Sequence, residues 1–322
     1  MPKFHVIVTD PIGGDASALR APIEAAGGAL LTPEDGALLD LVPQADAIIA
    51  NLVPITAELL GNAGRCRIVA RLGVGVDSVD VLAATRHGIW VTNVPNYCSD
   101  EVAEHALALI LGLQRRLRRS QQDLENGTWN QLAYRGIHRA ADTTLGIVGL
   151  GQLGRATARK ALGVGYRVVG HDPAISEPDA VPGVRVLGLD DLLAGSDIVS
   201  LHLPLLNATR HLIDATRIAL MKPGAILINV SRGGLVDERA LLAALEEGYL
   251  GGAGLDSFEE EPLPSNSSLH GRPDVMLTPH IAFLSEEALV SLQRQAADEV
   301  VRVASGQRPL NPVNEVTRRE AI

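Results

Sequence analysis

Short apolar runs alternate with amphipathic stretches along the whole chain. Residues 4–8, 47–50, 68–70 and 89–92 are nearly continuous apolar runs, the pattern of strands buried on both faces of a parallel sheet. Residues 19–26 read as a helix, and glycine or proline separates several of the pieces. Residues 1–99 therefore read as a small βα domain. A long helix is predicted over residues 101–119, with Val102, Ala106, Leu107, Leu109, Ile110 and Leu113 apolar and Arg115, Arg116, Arg118 and Arg119 at its end. Ser99 or Asp100 can cap it, and acids at the start with bases at the end complement the helix dipole. Its apolar length exceeds what one small domain covers, which predicts a two-fold homodimer through this helix and neighbouring parts of the domain that follows.

From residue 145 the alternation continues. Strands are expected at 145–148, 166–169, 198–203, 225–230, 253–255 and 275–277, with helices between them such as 155–162 and 238–246. This is an α/β fold, a doubly wound parallel sheet. Residues 285–304 read as a terminal helix ended by Gly306. The switch at 94–99, where Pro95 disfavours helix at Val94, and this last helix predict two Rossmann-like domains. One is a smaller, flavodoxin-like domain of residues 1–99 and 287–322, and the other a domain of residues 100–286.

The stretch 145–172 carries the clearest chemistry. Gly149, Gly151 and Gly154 follow a strand and open a helix in the spacing G-x-G-x-x-G. Gly149 allows the tight turn and Gly151 lets backbone approach a pyrophosphate. Gly154 lets helix and strand pack closely, and the helix N-terminus turns free N–H groups to the phosphates. Asp172 lies 18 residues past Gly154, where a carboxylate would grip the adenosine ribose. Pro173, Ala174 and Ile175 follow it, with no arginine or lysine for an extra phosphate, so NAD is favoured over NADP.

Composition narrows the partners. The chain has 322 residues, 46% of them hydrophobic, and a formal net charge of −10. That charge argues against nucleic acid or an anionic membrane as partner. No apolar stretch approaches the roughly 20 residues of a membrane span, and the N-terminus reads directly into a strand without a leader pattern. Cys66 and Cys98 are far apart and lack metal-ligand spacing. No metal is expected, and plain thiols in a reducing cytoplasm are.

Polar residues at the carboxyl ends of strands are the reactive candidates: His202, Arg232, Asp256 and His280, with Glu261 in the loop after Asp256. This set suits carbonyl reduction. An imidazole can supply the proton, a guanidinium can hold a carboxylate and polarise the carbonyl, and a carboxylate can orient the imidazole. Taken singly, each has a plain alternative. Arg232 could form a surface ion pair, Glu261 could be a solvated acid in the run Glu259-Glu260-Glu261, and His280 could be a satisfied turn residue. His202 reads as structural or cofactor-adjacent. In Arg71-Leu-Gly-Val-Gly-Val-Asp77, glycines after a strand could offer N–H groups to an anion or simply form a turn.

The chain resembles the D-isomer-specific 2-hydroxyacid dehydrogenases over essentially its whole length. The resemblance is carried by the stretches 71–77, 148–154, 229–237, 255–262 and 278–282. It implies catalytic Arg232, Glu261 and His280, the glutamate being the one directly before Pro262. It implies NAD contacts at Gly149, Gly151, Gln152, Leu153, Gly154 and Asp172. Further contacts are implied at Leu203, Pro204, Thr209, Val230, Ser231, Arg232, Asp256, His280 and Ala282, with Asp256 on the nicotinamide amide. Backbone at Val74 and Gly75 would take the substrate carboxylate, with Arg232, His280 and Phe283 beside the substrate. Residues 96–105 and 279–286 are similar to the branch containing the C-terminal binding proteins, although Phe283 stands where those carry tryptophan. The expected function is NAD-dependent interconversion of a 2-oxo acid and a D-2-hydroxy acid. The alternative is an NAD-sensing, corepressor-like interaction module.

Overall fold

A computed structural model of the chain describes residues 2–10, 15–32 and 38–316. Residues 1, 11–14, 33–37 and 317–322, all within the expected smaller domain, lie outside the described residues. The chain divides into two compact units, Met1–Tyr97 with Ser285–Ile322, and Cys98–Leu284. The crossings fall at 97/98 and 284/285, against the expected 99/100 and 286/287. Each coincides with a helix N-cap, Cys98 at one and Ser285 at the other.

The first unit runs β1 Phe4–Val8, α1 Ser17–Ala25, β2 Gly28–Leu31, α2 Leu38–Leu41, β3 Ala47–Ala50, α3 Ala57–Gly61, β4 Ile68–Arg71, α4 Val81–Arg86 and β5 Trp90–Thr92. Its sheet has the order β2-β1-β3-β4-β5, parallel throughout. Side chains alternate across it, as a strand's period of two requires. Phe4, Val6 and Val8 enter one core cluster, while Ile7 enters a second with Ile48, Val69 and Val91. β2 is absent from the sequence pattern because it is an edge strand of only partly buried residues.

The second unit opens with α5 Ser99–Gln114 and α6 Leu117–Glu125. The single helix expected over 101–119 is two helices, because Arg116 adopts the left-handed conformation at φ 54° and interrupts it. Helix α5 also starts at Ser99, so Ser99 and Asp100 stand in its first turn rather than capping it. Then follow β6 Thr144–Val148, α7 Gln152–Val164, β7 Arg167–His171, β8 Val184–Val186, α8 Leu189–Gly195, β9 Ile198–Leu201, α9 Ala215–Leu220, β10 Ile226–Asn229, α10 Glu238–Glu246, β11 Gly252–Leu255 and β12 Val275–Leu277. These strands form one parallel sheet, β12-β11-β10-β9-β6-β7-β8.

The apolar face of α5 is covered within its own unit. Val102, Ala106, Leu109, Ile110 and Leu113 are buried, and the helix lies on α7 and on β10, β11 and β12. Its apolar length is therefore not a free surface awaiting a second copy. The chain returns to the first unit with α11 Glu286–Ala304, whose Leu292, Ala296, Ala297, Val300 and Val303 join the core cluster of Phe4, Val6 and Val8. Among the described residues, no helix is long and apolar enough to cross a membrane.

Candidate active site

In the second sheet β6 and β9 are neighbours from which the chain proceeds in opposite directions, to β7 and β8 on one side and to β10, β11 and β12 on the other. Ligands of such sheets bind beyond the carboxyl ends at this reversal. The loop after β6 sits there. Gly149 has φ +93°, and a Cβ on it would lie 2.3 Å from the His202 carbonyl oxygen. A Cβ on Gly154 would lie 1.9 Å from the Gly149 carbonyl oxygen. At Gly151 a Cβ would meet no atom within 4 Å, so this face of the loop is open. Helix α7 begins at Gln152, and the first-turn N–H groups of Gln152, Leu153 and Gly154 have no intrahelical acceptor.

Asp172 follows β7 and braces this loop: Oδ2 accepts the Leu150 N–H at 2.9 Å and Oδ1 the Ala174 N–H at 2.9 Å. Each carboxylate oxygen keeps a second lone pair for another donor. Leu203 and Pro204 follow β9. The Thr209 hydroxyl closes their loop, donating to the Pro204 carbonyl at 2.8 Å and accepting from the Leu206 N–H at 2.7 Å. A tight loop, an open glycine face, a helix N-terminus and a carboxylate at the next strand end fit a dinucleotide.

Beyond β10, buried Val230 leads to Ser231, whose hydroxyl donates to the Leu201 carbonyl at 2.8 Å. Arg232 follows, and its Nη1 donates to the Ser231 carbonyl at 2.8 Å. Gly233 lets this loop meet the next one, since a Cβ there would lie 1.8 Å from the Phe258 carbonyl carbon. The Phe258 N–H in turn donates to Glu261 Oε1 at 3.0 Å. Glu261 Oε2 lies 2.8 Å from His280 Nδ1. Arg232, Glu261 and His280, from three separate loops, thus share one electrostatic neighbourhood. Burial raises the Glu261 carboxyl, but hydrogen bonds from His280 and Phe258 and the charges of His280 and Arg232 outweigh it and hold it below its ordinary value. Ionised Glu261 therefore favours the folded site above the ordinary carboxylate range, and that contribution is lost as pH falls through the lowered value.

His280 sits at φ 54°, a left-handed conformation that costs a residue with a Cβ roughly 1–2 kcal/mol and needs neighbours to hold it. Asp256, 1% exposed, supplies the hold. Its Oδ1 accepts the Thr278 hydroxyl at 2.6 Å and the Ile281 N–H at 2.9 Å, and its Oδ2 accepts the Ala282 N–H at 2.8 Å. The sequence expectation placed Asp256 on the nicotinamide amide. Three of its four acceptor positions brace the 278–282 turn, leaving one on Oδ2 for a further donor. The Phe283 ring stands edge-on to His280 with centroids 6.5 Å apart.

Three residues of this region escaped the sequence reading. His105, on α5, reaches Thr278. Thr278 looked like a strand-end residue, and only its side-chain contact gives it a role. Glu238, the first residue of α10, accepts the Glu259 N–H at 2.6 Å. Its carboxyl is raised, by burial and by the nearby charges of Glu259 and Glu261. His202 is buried, with Nε2 2.8 Å from the Ser200 hydroxyl, and burial lowers its imidazole from 6.5 to about 3. Neutral at ordinary pH, it is a structural residue beside the glycine loop. Val74 and Gly75 lie in the other unit, in the loop after β4, where the Val74 carbonyl accepts from Asn93 Nδ2 at 2.6 Å.

Residues 107–282 match the family model described as D-isomer specific 2-hydroxyacid dehydrogenase, NAD binding domain. The chain is 38% identical over 288 residues to a glyoxylate reductase of Korarchaeum cryptofilum, covering 88% of this chain and 87% of that protein. It is 36% identical over 315 residues to a D-3-phosphoglycerate dehydrogenase of Methanocaldococcus jannaschii, covering 96% of this chain but only 59% of the relative's length. The crystal structure of a D-lactate dehydrogenase from Aquifex aeolicus, complexed with NAD and lactic acid, superposes with a TM-score of 0.87 at 28% identity, covering 97% of this chain and all of that one. With the dinucleotide loop and the Glu261–His280 contact already in place, these likenesses settle the family: the chain belongs to the D-isomer specific 2-hydroxyacid dehydrogenases.

Proposed function

We propose that the protein is an NAD-dependent dehydrogenase that interconverts a small 2-oxo acid and the corresponding D-2-hydroxy acid. The observation that carries this reading is the Glu261–His280 contact of 2.8 Å, with Arg232 in the same electrostatic neighbourhood. When bound, NAD supplies and accepts the hydride. Glu261 takes Nδ1 of His280, so Nε2 is the nitrogen that exchanges a proton with the substrate oxygen. In reduction His280 gives that proton to the carbonyl oxygen, and in oxidation it takes one from the hydroxyl. Arg232 holds the carboxylate and stabilises charge developing on the oxygen. Val74 and Gly75 are carried as substrate residues by the family resemblance alone.

The test is a panel of 2-oxo acids with NADH, beginning with glyoxylate, the substrate named for the Korarchaeum relative. Saturable turnover of at least one acid is expected, and silence across the panel would refute the reading. Glu261→Gln keeps the shape and removes the charge. It should lower kcat while leaving the KM for NADH nearly unchanged, and an undiminished kcat would remove Glu261 from the mechanism.

Finer statements belong to the same proposal. Residues 96–105 and 279–286 support placement in the branch of the C-terminal binding proteins, as a dehydrogenase. The relatives named above are reductases and dehydrogenases, which leaves the corepressor-like alternative without support. A cytoplasmic location is supported by two buried free thiols, Cys66 and Cys98. A homodimer is supported by exposed Leu117, Leu124, Trp129 and Leu132, on α6 and the segment after it rather than on α5. Light scattering should give twice the chain mass of 34.0 kDa, and a single-chain mass in dilute solution would refute the dimer.

A further inference from the structure

We propose that His105 is a positioning residue for the reaction: through Thr278 and Asp256 it holds the turn that presents His280. This rests on the functional reading above and on contacts that all lie within the unit Cys98–Leu284. His105 Nε2 is 2.9 Å from Thr278 Oγ1, and that hydroxyl is 2.6 Å from Asp256 Oδ1. His105 Nε2 is also 3.6 Å from Asp256 Oδ1, with side-chain exposures of 19% and 1%.

The proton count gives the contacts a direction. The Asp256 carboxylate only accepts, and it already accepts the Ile281 and Ala282 N–H groups. The Thr278 hydroxyl has one proton and gives it to Asp256. Its lone pair must then accept from His105, which requires the hydrogen of His105 to be on Nε2. The relay therefore runs from His105 Nε2–H to Thr278 Oγ–H to Asp256 Oδ1.

Its placement makes it mechanical for His280. Asp256 grips Thr278 on one side of His280 and Ile281 and Ala282 on the other. The backbone between them carries His280 at φ 54° and a His280 N–H to Thr278 carbonyl bond of 3.0 Å. His105 supplies the outer anchor from α5, where its neighbours Ala103 and Ala106 are buried, so the anchor stands on a fixed element. Without the relay the turn keeps its backbone bonds to Asp256 but loses the contact that orients the Asp256 carboxylate. The His280 ring then no longer holds its 2.8 Å contact with Glu261 as a single geometry. Misplacement of a reacting group by about 1 Å costs on the order of 100-fold in rate.

Four single variants and one double variant test this. Thr278→Val removes the hydroxyl at nearly constant shape, and Thr278→Ser keeps it. His105→Phe removes the donor, and His105→Gln returns an N–H near the Nε2 position. Kinetics are measured with NADH and whichever 2-oxo acid the wild type reduces. Amide exchange at Ile281 and Ala282 is measured on the cofactor-free protein. Thr278→Val and His105→Phe should lower kcat by roughly 10- to 100-fold while the KM for NADH stays within about twofold. Both should accelerate exchange at the two amides by about tenfold. Thr278→Ser and His105→Gln should recover most of both properties. The His105→Phe/Thr278→Val double variant should be no slower than the slower single, since both break one relay.

Wild-type kcat and exchange in Thr278→Val and His105→Phe would overturn the proposal. So would a His105→Gln as slow as His105→Phe, or losses that multiply in the double variant. If His105→Phe does not fold, the Thr278 pair decides. If the wild type reduces no 2-oxo acid, the functional reading fails and amide exchange judges the relay alone: acceleration sustains it and unchanged exchange overturns it.

Discussion

Two regions of the same unit carry the proposed chemistry, and they are built in opposite ways. The 149–154 loop is local. Its shape comes from glycines a few residues apart, pressed against one another and against the end of β9. The region from Asp256 to Ala282 is assembled from a distance. His105 from α5, Arg232 after β10, Glu261 after β11 and Thr278 after β12 meet through single hydrogen bonds or charges. A local loop fails when volume is added to it. An assembled site fails when one polar atom is taken away, because the partner left behind is buried or misdirected.

Substitutions can sharpen that contrast. The largest effect is expected from Gly154→Val, which places atoms where the Gly149 carbonyl already lies. NADH affinity should fall by on the order of 10³-fold or more, an expectation resting on the helix N-terminus as the phosphate site. Calorimetry on a folded variant that still binds NADH tightly would show that the loop is not the cofactor seat.

Arg232→Ala comes next. It removes a donor that serves both bound acid and transition state, so kcat/KM should fall on the order of 10²–10³-fold, with a raised KM and a lowered kcat. A change in KM alone would confine Arg232 to ground-state binding.

Asp172→Ala tests the local region more gently. It removes the proposed ribose acceptor and the brace on the Leu150 N–H. The KM for NADH should rise by roughly tenfold and discrimination against NADPH should relax, the scale of one charge-assisted hydrogen bond. Equal Michaelis constants in variant and wild type would remove Asp172 from the cofactor site.

The smallest effect concerns stability, not rate. His202 is buried with its imidazole lowered from 6.5 to about 3. Its folded value lies below its unfolded one, so its contribution is complete above the unfolded value and erodes as pH falls from there towards about 3. Between about pH 8 and pH 5 it should account for about 2 kcal/mol of lost stability. Urea denaturation of His202→Gln should lack that part of the slope, and an identical pH dependence in both proteins would contradict the neutral, buried imidazole.

The chain's own pattern determined a good deal. Nearly continuous apolar runs, with glycine or proline between several of them, are enough to specify parallel strands buried on both faces, as Val6 and Ile7 are in the first unit. The G-x-G-x-x-G spacing and the acid 18 residues later specify the dinucleotide loop, because every residue it needs is near in sequence. The residues Arg232, Glu261 and His280 could be named in advance, but for each alone a bland reading was equally open. Tertiary structure decided what depended on long-range approach. It broke the expected helix at Arg116, whose left-handed backbone has no sequence signal of the kind glycine provides. It covered α5 with its own sheet, a matter of which elements meet rather than of how apolar the helix is. It gave Asp256 the bracing of the 278–282 turn, and it brought His105 to Thr278 across 173 residues of sequence. Local preferences act within a turn or two of the chain. A hydrogen bond between residues so far apart exists only once the sheet has set its strand order, and no periodicity records it.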